Sequence, residues 1–213
     1  MKKIAQKIAD SLLQINAIKL QPANPFTWAS GWNSPIYCDN RKVLSFPEVR
    51  REVVKAFVEV IGKEFQQPDL IAGVATGAIA HGVLVAEEMD LPFVYVRSAQ
   101  KEHGLTNTIE GAFKAGQKVL VIEDLVSTGK SSLRAVEALR EAGLEVAGMV
   151  AIFTYQFEQS RQNFRESGVE LKTLSNYQHL IERAVESGYV KKEELETLKK
   201  WREDPENWQS KQS

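Results

Sequence analysis

The sequence predicts an α/β protein with a doubly wound, mostly parallel sheet flanked by helices. Three observations carry that reading. Apolar runs rich in Val and Ile, at 69–74, 93–97, 118–122 and 146–153, have the near-continuous hydrophobicity of strands buried on both faces. Segments with apolar residues at spacings of three and four alternate with them, and alternating strands and helices build parallel sheets. The 213 residues, 43% of them hydrophobic, suit one substantial core with additions better than two independent domains. In such sheets the ligand sits beyond the C-terminal ends of the strands.

Bulk properties narrow the function. Net charge is −1 and the isoelectric point is near 6.4, with Lys and Arg scattered. That distribution gives no footprint for nucleic acid or an anionic membrane, so a small-molecule partner is favoured. The single cysteine, Cys38, excludes an internal disulfide framework and fits a reducing cytoplasm. Three histidines far apart in sequence argue against a dedicated zinc site. No window approaches a membrane-spanning apolar run.

Taken in order, the chain opens on an amphipathic helix. Ile4, Ile8, Leu12 and Ile15 recur at helical spacing, and Lys7 and Asp10 interrupt what would otherwise resemble a signal peptide. Residues 17–20 are a short strand candidate, followed by turn-rich Gln21-Pro22-Ala23-Asn24-Pro25. Residues 26–41, with two tryptophans, a glycine and an Asp-Asn-Arg end, make a plausible antiparallel ribbon whose aromatics either pack on the core or cover a ligand. Residues 47–65 form a helix with Pro47 in its first turn and Val49, Val53, Phe57 and Val60 on one face. After the buried strand at 69–74, Ala75-Thr76-Gly77-Ala78 opens a helix that runs to about Met89. Its small residues serve either close packing or an anion.

The strand at 93–97 leads into 98–108, a long polar stretch without periodicity, as lids commonly are. Arg97, Lys101 and His103 in and beside it read either as an ordinary solvated cluster or as catalytic cations. Then comes the block on which the chain is organised. Lys118-Val119-Leu120-Val121-Ile122 is a buried strand ending in Glu123 and Asp124, and Leu125, Val126, Ser127, Thr128, Gly129, Lys130, Ser131 and Ser132 lead to an amphipathic helix from Leu133 to Gly143. One glycine, four hydroxyls and several amides at a helix N-terminus suit a phosphate. The paired acids suit ribose hydroxyls or a hydrated Mg²⁺ ion. Gly129-Lys130-Ser131 looks like the tail of a nucleotide-hydrolysing P-loop, but that motif needs a glycine where Asp124 stands. Residues 146–153 form a further strand, 169–174 an edge strand, and 177–186 and 192–203 two helices. From Asp204-Pro205 the chain reads as a frayed tail.

The block at 118–132 resembles the phosphoribosyl pyrophosphate (PRPP) signature of the type I phosphoribosyltransferases. The pattern Phe26-Thr27-x-x-Ser30-Gly31-x-x-Ser34-Pro35-x-Tyr37 is similar to the N-terminal hood of the family's orotate-specific branch, and Arg97-x-x-x-Lys101-x-His103-Gly104 is similar to its catalytic loop. The resemblance implies one phosphoribosyltransferase domain over 1–213, with a helix and hood at 1–45 over the base and a core at 46–213 carrying the lid at 98–108. It implies PRPP and orotate as substrates, Mg²⁺ carried mainly by PRPP with Glu123 and Asp124 within reach, and no nucleic-acid or membrane partner.

Each residue's role follows from the same resemblance. Arg97, Lys101 and His103 would neutralise the pyrophosphate, and Glu123 and Asp124 would hold the ribose. Residues 125–131 would hold the 5′-phosphate, with Ser127 also touching orotate, and 75–78 would contact the pyrophosphate. The family implies a homodimer in which each subunit lends its lid to the neighbour. This chain departs from many relatives at Ala29, Ser98 and Tyr155, where they carry basic residues. A purine enzyme would share the PRPP block without the hood motif. A PRPP-binding regulator would lack Lys101 and His103 and carry a basic face.

Overall fold

The computed structural model describes residues 1–28, 31–97 and 108–208. Its centre is a six-stranded sheet. The strands are β5 (Leu70–Val74), β6 (Phe93–Val96), β7 (Ile109–Glu110), β8 (Lys118–Val126), β9 (Glu145–Thr154) and β10 (Leu171–Asn176), in the order β10-β9-β8-β5-β6-β7. All neighbours run parallel except β7, which lies antiparallel on β6. Every side chain of β5 is buried, as are those of Val119 to Glu123 in β8, which is why these segments read as unbroken apolar runs.

The order of the strands locates the site. From β5 the chain crosses through α3 (Ile79–Met89) to β6 on one side, whereas from β8 it crosses through α4 (Lys130–Glu141) to β9 on the other. β5 and β8 are adjacent, so their following loops part company and leave a crevice between them, the topological switch point of a doubly wound sheet.

Two helices outside these crossovers cover the sheet. α1 (Lys2–Gln14) packs on α6 (Tyr177–Glu186) and β10, and α2 (Pro47–Glu64) packs on α3, β9 and β10. Ile8, Leu12, Val53, Phe57 and Val60, which set their helical periodicity, are all buried. Among the described residues no helix is long and apolar enough to cross a membrane.

The expected ribbon at 26–41 exists as two separate pieces. β2 (Phe26–Thr27) pairs with β3 (Asn33–Ser34), while β4 (Ile36–Cys38) pairs with β1 (Ile18–Leu20), and the Asp-Asn-Arg end passes into a 3-10 helix at Asn40–Ser45. The break falls at Ser34, whose hydroxyl donates to the Ile36 carbonyl at 2.8 Å and accepts from the Ile36 amide at 3.2 Å. This local turn takes groups that a continuous ladder would have used.

At the other end of the chain, α7 (Leu195–Glu203) brings Trp201 to the hood. Its indole N–H donates to the Asn33 carbonyl at 3.2 Å, and its ring meets those of Trp28, Tyr155, Phe157 and Tyr177. α7 starts at Leu195 because Lys192–Glu194 form a short 3-10 turn, and Trp208, in the expected tail, packs against the core. α5 (Glu158–Glu166) was not expected: only Ser160 and Phe164 of its side chains are buried, too few to set a periodicity.

Candidate active site

The site grows from the end of β8. This strand runs two residues past the acids, to Val126. Glu123 and Asp124 therefore do not lie side by side at a frayed end. Successive side chains of a strand leave it in opposite directions, and Glu123 turns toward α4 while Asp124 meets loop 75–78, their carboxyls still close enough to interact.

Glu123 faces α4. One of its carboxyl oxygens accepts from the Ser132 hydroxyl at 2.8 Å and the other from the Asp124 amide at 2.9 Å, and the side chain is 4% exposed. Glu123, expected with Asp124 at the ribose, thus already accepts one bond on each oxygen, and each oxygen keeps a further lone pair. Ser132 sits inside the first turn of α4 and anchors Glu123. Among the described residues no side chain caps this helix, whose N-cap position is Gly129.

Asp124 faces α3 and is partly exposed. A side chain at Gly77 would place its Cβ 2.2 Å from an Asp124 carboxylate oxygen, so the carboxylate occupies the space that this glycine leaves open. The loop 75–78 after β5 thus closes directly on the acid of β8, and its Ala75–Thr76 peptide is cis. On the hood side, the Asn40 side-chain amide donates to the Asp124 backbone carbonyl at 2.6 Å. Asn40 is itself buried, and its side-chain oxygen accepts from the Cys38 thiol at 3.4 Å. Burial and then the Asp124 charge push the Cys38 thiol well above its ordinary range. Sequence reasoning missed Asn40 because its partner lies far along the chain. It also passed over His81 on α3, which is fully buried beside Asp124 and Asn40.

Leu125 and Val126 contribute backbone, since Val126 is buried and both pair with β9. Ser127 and Thr128 are partly exposed, and Lys130 and Ser131 are exposed at the start of α4. Gly129 adopts φ +82°, and a Cβ there would come within 2.7 Å of the Phe164 ring. Glycine is required twice over at this turn, for its left-handed backbone and for the close approach of α5. The Asn163 amide fixes the turn by donating to the Thr128 carbonyl at 2.8 Å. The first amides of α4 thus open onto the crevice with the positive end of the helix dipole behind them.

Arg97, at the end of β6, pairs with Glu110 of β7 at 3.2 Å, and its amide donates to the Thr108 carbonyl at 2.8 Å. The base of the expected lid is therefore stapled to the sheet edge. Lys101, His103 and Ser98 of the lid, and Ala29 of the hood, lie outside the described residues. Tyr155, the third departure, is buried, with Trp28, Phe153, Phe157 and Trp201 around its ring.

The environment of Glu123 has a measurable consequence. Burial, then the neighbouring Asp124 charge, push its carboxyl up to about 8. Between an unfolded value of about 4.3 and that folded value, the folded chain keeps a proton that the unfolded chain has lost. This contribution to stability is therefore full at acid pH, falls as pH rises through that window and levels off above it. Glu123→Gln mimics the protonated carboxyl, with an oxygen for the Asp124 amide and an NH₂ for the Ser132 hydroxyl. Denaturant unfolding at pH 5.5 and 8.5 is expected to show wild type losing on the order of 3 kcal/mol more than Glu123→Gln across the interval. Parallel curves for the two proteins would mean that Glu123 is ionised in the fold.

Known proteins are similar to this chain in sequence and fold. The profile of the phosphoribosyl transferase domain matches residues 40–179. The orotate phosphoribosyltransferase of Phocaeicola vulgatus is 56% identical to this chain over 210 residues, covering 99% of each. That of Listeria monocytogenes serotype 4b is 55% identical over 205 residues, covering 96% of this chain and 98% of its own. Among solved structures, orotate phosphoribosyltransferase from Aeropyrum pernix matches with a TM-score of 0.76 at 26% identity, over 86% of this chain and 99% of that one.

Proposed function

The chain belongs to the orotate phosphoribosyltransferases, a branch of the phosphoribosyltransferase family, and we infer from that membership and from the crevice between β5 and β8 how its residues carry out the reaction. The enzyme transfers the ribose 5-phosphate group of PRPP to orotate, giving orotidine 5′-monophosphate and pyrophosphate in pyrimidine biosynthesis. The bond from the anomeric carbon to pyrophosphate breaks and a bond to a ring nitrogen of orotate forms. Oxocarbenium character develops at that carbon, so the protein's task is to hold, orient and neutralise charge rather than to supply a nucleophile.

One observation carries the placement of PRPP: the Ser127–Gly129 turn, held open by Gly129 and Asn163, aims the uncapped N-terminus of α4 at the crevice. The 5′-phosphate rests there, on the amides of 127–131 and the hydroxyls of Ser127, Thr128 and Ser131. Ser127, first in the turn, also meets the orotate ring. Asp124 accepts from the ribose hydroxyls. Loop 75–78, closed onto Asp124 at Gly77, offers the pyrophosphate the amides of Thr76 and Gly77, since those of Ala75 and Ala78 donate to the Val96 and Val74 carbonyls. Arg97, Lys101 and His103 neutralise the charge growing on the leaving group, and the lid at 98–108 excludes the water that would hydrolyse PRPP.

The donors beside the crevice, a carboxylate and hydroxyls, suit Mg²⁺, and among the described residues no group of three or more His, Cys, Asp or Glu forms a cage for a metal. Mg²⁺ would be carried mainly by PRPP, with Asp124 and Glu123 as the protein groups that would hold it, and it would offset charge on the pyrophosphate. The hood at 1–45 covers the base, the core at 46–213 holds PRPP, and two chains form a homodimer that shares lids. The single cysteine supports a cytoplasmic setting.

The test is incubation with PRPP, Mg²⁺ and orotate, followed by loss of orotate absorbance, with hypoxanthine and uracil as controls. Turnover of orotate alone is the expected result. Turnover of hypoxanthine in its place would move the chain to the purine enzymes.

A further inference from the structure

His81 is fully buried on α3, and neither of its ring nitrogens finds a hydrogen-bond partner among the described residues. Buried polar atoms left unsatisfied carry their full desolvation penalty. Native chains rarely keep such atoms, and each calls for an explanation.

The surroundings of the ring point to one. Gly77 lies four residues before His81, at the mouth of the same helix, and the Asp124 carboxylate fills the space over Gly77. His81 follows in the first turn of α3, close enough to Asp124 for its charge to act on the ring. The Asp124 charge and the Asn40 backbone both favour a proton on the ring, though Asn40 makes no well-formed hydrogen bond to it, and burial outweighs both to keep the ring neutral. A neutral imidazole carries one N–H donor and one acceptor. Asn40 meanwhile grips the backbone carbonyl of Asp124 at 2.6 Å. Asp124 thus has its main chain held from the hood, while an unspent donor on α3 lies within reach of its charge.

Resting on the PRPP reading above, we propose that His81 is a positioning residue whose ring N–H donates, in the substrate complex, to the Asp124 carboxylate oxygen turned away from the ribose. A carboxylate has lone pairs on both oxygens, and ribose hydroxyls reach only one side of it. The donor on the far side fixes the rotamer that meets the ribose. It stays off the reacting atoms and acts through Asp124.

His81→Leu and His81→Gln separate this role from plain packing. Leucine fills the site without polar atoms, so its thermal midpoint is expected to equal or exceed that of wild type, while kcat/KM for PRPP falls about tenfold or more. Glutamine restores an N–H donor and is expected to recover activity to within about threefold of wild type. If His81→Leu keeps kcat/KM within about twofold, the proposal is overturned. It is equally overturned if both variants lose activity together with several degrees of thermal midpoint, since that pattern marks a structural histidine.

A measurement on the wild-type enzyme guards against variants that fail to fold. With three histidines in the chain, the ring ¹⁵N–¹H signals of His81 can be assigned by comparison with single variants. Adding PRPP and Mg²⁺ is expected to shift its N–H downfield and slow its exchange, and an unchanged signal overturns the proposal. Wild-type turnover of orotate in the same preparations keeps the two readings apart. An inactive wild type refutes the PRPP reading, whereas an active wild type with a fully active His81→Leu refutes only the role of His81.

Discussion

Asp124→Asn is expected to lower turnover by roughly two to four orders of magnitude while leaving thermal stability almost unchanged. The two parts have separate physical causes. Catalysis loses a charge-assisted acceptor at the ribose, next to a carbon that acquires positive character, and a neutral amide replaces it in a crevice where fixed charge counts for more than in water. Stability loses little, because asparagine is nearly isosteric and fits the space over Gly77 that the carboxylate already fills. The Asn40 amide bonds to the Asp124 backbone carbonyl, which the substitution keeps. Removing the charge also relieves Glu123, whose carboxyl is raised partly by its neighbour. Steady-state kinetics and calorimetry on the same preparation check both halves. Turnover within a few-fold of wild type would leave the ribose without its proposed acceptor. Glu123→Gln is expected to keep far more activity, since Glu123 spends both oxygens on the Ser132 hydroxyl and the Asp124 amide.

What the sequence made legible was whatever is periodic or compact in sequence. The strands at 69–74 and 118–122 announced themselves because both faces are buried, and the helix at 47–64 because its buried residues keep helical spacing. The Ser127–Gly129 turn could be read as a phosphate cradle because every part of it is contiguous. The unequal acids were half legible. Strand periodicity alone puts neighbours on opposite faces, but the apolar run stops at Ile122 and hides that β8 continues to Val126.

What stayed hidden was assembled from distant segments. Asn40 meets Asp124 across 84 positions, and Trp201 meets Asn33 across 168. No local pattern records either contact. His81 sits in a helix of small and apolar residues, where a lone histidine looks like ordinary packing until its missing partners are counted. α5 escaped because its work is done by two residues, Phe164 under Gly129 and Asn163 on Thr128, on a helix otherwise exposed.

The second large effect concerns assembly. In the proposed mechanism a lid carrying Lys101 and His103 meets PRPP between the loops after β5 and β8, and in the proposed homodimer that meeting is made across the two-fold axis. Lys101→Ala and Asp124→Ala chains are each expected to be nearly inactive, because each removes one partner from every site of its own homodimer. Mixed in equal amounts under conditions that exchange subunits, they pair at random, and half of the dimers carry one chain of each kind. If sites are shared, such a dimer has one site with both defects and one site with neither, so about a quarter of wild-type sites return. If each site is built from a single chain, every site keeps one defect and mixing restores nothing. The regained activity should also rise with the time allowed for exchange and vanish when the chains are mixed under conditions that block it. A recovery near a quarter that tracks exchange fixes both the symmetry of the enzyme and the ownership of its lid, whereas recovery absent at full exchange assigns Lys101 and Asp124 to the same subunit's site.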